Sequence, residues 1–127
     1  MTHSLQQAQT AVNRALDAAR EMDLSVAVVA VDGSGHVVAS ARMDGVPRVV
    51  FDLARRKAAT SASFGAPLAD LVQNMRQDPV LHEAIATSPD LILLPGAAPL
   101  QGGGAIGVGG GHYTQDQEIA DRAVAEG

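Results

Sequence analysis

The sequence predicts an α+β domain built on an antiparallel sheet, and three observations carry that prediction. The chain opens and closes with segments whose apolar residues recur at helical spacing. Between them lie short apolar runs joined by glycine-rich turns, the composition of hairpins. The resulting order is helix, hairpin, helices, hairpin, helix, which needs no parallel crossover. At 127 residues the chain is expected to form one domain over 1–127.

Taken in order, Leu5, Ala8, Val12, Ala15, Leu16 and Ala19 predict a first helix over about 5–21, with His3 frayed before it. Leu24 to Val31 is valine-rich and almost wholly apolar, so it reads as a strand covered on both faces. Asp32-Gly33-Ser34-Gly35 is a turn, and His36 to Ala41 returns as a second strand with His36 at the surface. Pro47 precedes a helix from Val49 to Ser63, along which Phe51, Ala54, Ala58 and Ala62 form a stripe. Side chains that small let a helix lie very close to its neighbour. Leu68 to Met75 is a short helix, and Asp78-Pro79 starts another through about Ile85 that half-buries His82. Leu91 to Leu94 is expected to begin a third strand that Pro95-Gly96 interrupts and Pro99-Leu100 continues. After the turn Gln101-Gly102-Gly103, the run Gly104 to Val108 returns beside it.

Chemistry concentrates where that last strand ends. Gly109, Gly110 and Gly111 lead through His112 and Tyr113 to Thr114, and Thr114 with Gln117 has capping-box spacing, so the final helix is expected to begin there. A glycine loop followed by a helix start leaves backbone N–H groups free at the positive end of the helix dipole, an arrangement that suits a carboxylate or phosphate. His112 is the candidate general acid or base, and Asp116, four residues on, is expected to orient its imidazole. Arg42 and Asp44, two apart on extended backbone, point the same way and suit an ion pair or a shared ligand. Lys57, the only lysine, lies beside the alanine stripe. There its stem can be buried while its ammonium meets a partner carboxylate or an anionic substrate group.

Several function classes are disfavoured. A net charge of −5 without a basic patch argues against nucleic acid. No apolar run is long enough to cross a bilayer, no export segment is evident, and the chain is expected to be cytoplasmic. The absence of cysteine removes disulfides and thiol chemistry. The histidines show no metal-ligand spacing, and no metal site is expected. The glycines are not followed by the Lys-Ser/Thr of a nucleotide-binding loop.

The stretches 26-VAVVAVDGSGHVVASARMDG-45, 57-KAATSASFGAP-67 and 104-GAIGVGGGHYTQDQEIA-120 resemble the GlcG/HbpS-like family, also described as haem-degrading-domain-like and found at the C-terminus of PduO-type proteins. The most specific points are Arg-Met-Asp-Gly after the second strand, Lys57-Ala58 with Phe64, and Gly-Ala-Ile-Gly-Val followed by Gln115-Asp116. Where the family commonly has Ser-Gly after Gly-Val, this chain has three glycines and His112. The resemblance implies a profilin/PAS-like α/β/α sandwich that assembles into homo-oligomers, with haem bound in some relatives.

Two functions follow as expectations. In the first, the chain binds haem or a related tetrapyrrole, with His112, His36, His82, Tyr113 or Met43 as axial ligand. Phe51, Phe64, Arg42 and Lys57 would supply apolar and cationic contacts, and the loop Gly109–Gly111 would flank the ligand. In the second, it is an enzyme for a small anionic metabolite, with the glycine loop stabilising an oxyanion and Arg42 or Lys57 clamping a second carboxylate. A non-catalytic ligand-binding or assembly module is the third class.

Overall fold

Apolar residues on both faces of one valine-rich strand require cover on both sides, and the computed structural model, which describes residues 4–125, supplies it. Helix α1 (Ser4–Glu21) leads into β1 (Ala27–Val31) and β2 (Val37–Arg42). Then come α2 (Arg48–Phe64), α3 (Leu68–Met75), α4 (Pro79–Ala86), β3 (Ala97–Pro99), β4 (Ala105–Gly109) and α5 (Tyr113–Val124). His3 and the side chain of Ser4 lie outside the described residues.

The four strands form one antiparallel sheet in the order β2-β1-β4-β3. Every residue of the central strands β1 and β4 is buried. Val26, Val28 and Ala30 pack with Ile106 and Val108 under α1 and α5, while Ala27, Val29, Val31 and Ala105 face α2. The architecture is therefore the α/β/α sandwich with an antiparallel sheet that the sequence led us to expect. A third cluster around Leu68, Leu71, Met75 and Ile85 seats α3 and α4 beside Ala97. Among the described residues, no helix is long and apolar enough to cross a membrane.

The alanine stripe of α2 also lies over a glycine. A Cβ at Gly107 would lie 2.1 Å from Ala54 O and 2.7 Å from Ala58 N, so the helix rests directly on the backbone of β4. The first hairpin is held by Asp32, whose carboxylate accepts the N–H groups of Ser34 (2.9 Å) and His36 (3.0 Å).

Two strands are shorter than expected. Leu91–Leu94 is not a strand. Its polar groups turn to α2 instead, with Ile92 N–H donating to Thr60 Oγ1 (2.8 Å) and Leu91 O accepting from Arg56 (3.5 Å), and β3 is only Ala97–Pro99. The first strand begins at Ala27 rather than Leu24, because Leu24 N–H still closes the end of α1 on Ala19 O (2.9 Å).

Candidate functional site

Strand register assembles most of the candidate residues at one end of the sheet. Arg42 pairs with Ala27, and Ala27 pairs with Gly109. Two interstrand spacings put the Arg42 and Gly109 backbones about 10 Å apart. Beyond Gly109 run Gly110, Gly111 and His112, and beyond Arg42 the chain turns through Asp44 into the start of α2. Arg42, Val46, Pro47, Arg48 and Phe51 line an open groove there.

Two donors at the end of the glycine loop are already engaged. Gly111 N–H donates to Asp116 Oδ1 (2.9 Å), and His112 N–H donates to Gln115 Oε1 (2.9 Å). His112, not Thr114, is the N-cap of α5: Thr114 N–H donates to His112 Nδ1 (3.2 Å), and Gln115 rather than Gln117 closes the reciprocal cap. The expected seat for an external anion is thus filled by side chains of the same helix. Gly110 is held by crowding, since a Cβ there would come 2.5 Å from Ser25 O at a φ of +128°.

Asp116 corrects a second expectation. Its carboxylate turns inward, away from the imidazole it was expected to orient, and meets Lys57 Nζ at 3.1 Å. Both side chains are buried, at 2% and 3% exposure. Lys57 Nζ also donates to Val108 O (2.9 Å). In an antiparallel ladder the N–H and C=O of one residue face the same neighbour. Val108 N–H is taken by Gly96 O (2.8 Å), so the lysine completes the pairing where β3 has not yet begun. Burial pushes the Lys57 ammonium below its usual pKa, against the pull of Asp116. Burial likewise raises Asp116 above the usual carboxylate range, opposed by Lys57 and by the Gly111 N–H. Lys57 is therefore a buried partner for Asp116, not an exposed clamp for a substrate.

Two neighbours escaped sequence reasoning. Gln117, read as a cap partner, is buried; its Oε1 accepts from Ala69 N–H (3.1 Å), Gly96 N–H (2.8 Å) and Ala97 N–H (3.2 Å), and its Nε2 donates to Ala97 O (2.8 Å). Gly96 packs against the ion pair, with a Cβ there falling 2.7 Å from Lys57 Nζ. A glutamine on the buried face of α5, beside the acid, was the available signal for the first.

His112 is exposed, stacks beside Tyr113 with ring centroids 4.1 Å apart, and sets Nδ1 2.8 Å from Thr114 Oγ1. Its Nε2 has no hydrogen-bond partner among the described residues. Arg42 and Asp44 form no ion pair: Arg42 donates to Val46 O (2.7 Å), and Asp44 is exposed in the turn. Phe64 lies at the far end of α2, about two helical turns past Lys57. Among the other axial-ligand candidates, His36 is at the opposite end of β2, His82 is on α4, and Met43 Sδ accepts from Val26 N–H (3.2 Å). Among the described residues, no three His, Asp or Glu side chains converge as a metal site.

Residues 4–125 match the family model described as haem degrading protein HbpS-like. The chain therefore belongs to that family. The crystal structure of a Streptomyces reticuli HbpS double mutant superposes with a TM-score of 0.84 at 30% identity, over 94% of this chain and 83% of that one. The Klebsiella pneumoniae protein ORFY gives a TM-score of 0.84 at 26% identity, over 94% of this chain and 86% of its own. A structure described as a PduOC:heme complex shares the fold at a TM-score of 0.80 and 23% identity, over 94% of this chain and 90% of that one. No curated protein sequence gives a significant match.

Proposed function

We propose that this member of the HbpS-like family binds haem or a related tetrapyrrole at the sheet end where His112, Arg42 and Arg48 gather. The observation that carries the reading is the exposed His112 imidazole, whose Nε2 is unpartnered while its other nitrogen is held. The donor set fits the group. An imidazole nitrogen suits ferric or ferrous iron, exposed guanidinium groups suit propionates, and Val46, Pro47 and Phe51 offer an apolar wall. The family description, haem degrading protein HbpS-like, and the similarity to the S. reticuli protein that bears the name HbpS support the same ligand class.

His112 would hold the iron through Nε2. A ligating imidazole carries its proton on Nδ1, so on binding that nitrogen would cease to accept the Thr114 N–H and would donate instead to Thr114 Oγ1, 2.8 Å away. Arg42 and Arg48 would orient the carboxylates, while bound haem would supply redox-active iron. The enzyme reading that used the glycine loop as an oxyanion hole gains no support, because the Gly111 and His112 donors are already engaged. The chain also assembles as a homo-oligomer in this reading, which covers exposed apolar side chains such as Val49 (63% exposed) and Val80 (81% exposed).

Titration of the purified protein with haem, followed by absorbance, tests the proposal. Saturable binding is expected. Arg42→Ala/Arg48→Ala should weaken it by roughly three- to tenfold, since exposed ion pairs contribute under about 1 kcal/mol each. Binding that never saturates would overturn the reading.

A further inference from the structure

We infer that the buried Lys57–Asp116 pair is a built-in counterion that positions the His112 loop from beneath, so that two residues hidden from solvent set the placement of an exposed ligand group. The inference deepens the tetrapyrrole reading and rests on it for its haem readout, while its geometry stands independently.

A strand running into a glycine loop and a helix N-terminus collects N–H dipoles that favour a negative charge. Here the negative charge belongs to the chain. Asp116 follows His112 by one helical turn, and its own N–H donates to His112 O (2.9 Å), which aims its side chain back over the loop to Gly111 N–H (2.9 Å). A carboxylate so deeply buried needs more than one N–H to remain an anion. The compensating charge arrives from α2 as Lys57, and Val108 O, next to the last residue of β4, fixes the ammonium in turn. Three elements thus meet at one nitrogen atom, and the Gly109–His112 segment spans the joint between β4 and α5. Gln115 holds His112 N–H from the solvent side, and Asp116 with Lys57 holds the preceding peptide from the core side. Lys57 and Asp116 act through the loop on His112, and are positioning residues.

Amide hydrogen exchange by NMR on the haem-free protein, with haem titrations alongside, tests this on Asp116→Ala and on Lys57→Met/Asp116→Asn. Asp116→Ala should speed exchange at Gly111 and His112 by about tenfold or more beyond any change in β1, as a local opening does. It should also shift the Soret maximum of the haem complex. The double variant buries no charge and keeps a carboxamide oxygen that accepts from Gly111. It should restore slow exchange and the wild-type Soret position, and it keeps the test available if Asp116→Ala fails to fold. Exchange at Gly111 that changes no more than β1 does, or a double variant with fast Gly111 exchange, would overturn the inference. If the wild-type protein itself takes up no haem, the tetrapyrrole reading falls and the exchange data alone decide the positioning role.

Discussion

The first turn of α5 has two halves with opposite fates. Its outer half, His112, Tyr113 and Thr114, is exposed, whereas its inner half, Asp116 and Gln117, is buried and fully engaged with α2, β4 and the chain around Gly96. Residues four apart on one helix would ordinarily share a face. His112 escapes this because it is the N-cap, with extended backbone (φ −65°, ψ 151°) that swings its side chain out of the helical path. The difference separates two kinds of histidine–aspartate neighbourhood. In one, the acid touches the imidazole and tunes it; in this protein, the acid fixes the backbone that carries the imidazole.

If that division is right, removing inner groups should cost stability and removing outer groups should not. The largest effect is expected for Lys57→Met, which strands the Asp116 carboxylate in the core and should destabilise by about 3–5 kcal/mol in urea unfolding. A loss below about 1 kcal/mol, the scale of an exposed pair, would break the comparison.

Next in size is a pH effect with a defined sign. Burial raises Asp116 above its ordinary value of 3.8, so between 3.8 and the raised value the folded state holds a proton that the unfolded state has released. This group's contribution to stability therefore declines as pH rises through that window and levels off above it. The stability of the wild-type protein minus that of Asp116→Asn should fall with rising pH there, by at most about 1.4 kcal/mol per pH unit for one proton. A difference that grows with pH would mean that Lys57 outweighs burial.

His112→Ala should have the smallest effect on folding, about 1 kcal/mol, for the loss of one helix cap.

Much of this fold can be read from particular residues. Unbroken apolar character from Val26 to Val31 foretold a strand covered on both faces, and the alanines of α2 foretold a close approach, made closer by Gly107. The sequence also pointed to a carboxylate partner for Lys57. Its identity was hidden, because Asp116 lies 59 positions away and nothing local distinguishes an acid turned inward from one turned toward His112. The glycine loop misled for a related reason. The N–H groups of Gly111 and His112 look like open donors until Asp116 and Gln115, which read as ordinary first-turn residues, are seen folding back onto them. Leu91–Leu94 has strand-like composition, and only Thr60 and Arg56 of α2 reveal where its polar groups go. Local patterning reported the elements well, but long-range polar pairing decided the site.

The central claim is that the outer half of the turn holds the ligand chemistry while the inner half holds the structure. A haem titration of His112→Ala beside the wild-type protein, with unfolding curves for both, tests it most directly. The account predicts haem affinity lower by about tenfold or more, as for a lost metal contact, with stability within about 1 kcal/mol of wild type. Equal haem affinities in the two proteins would contradict it.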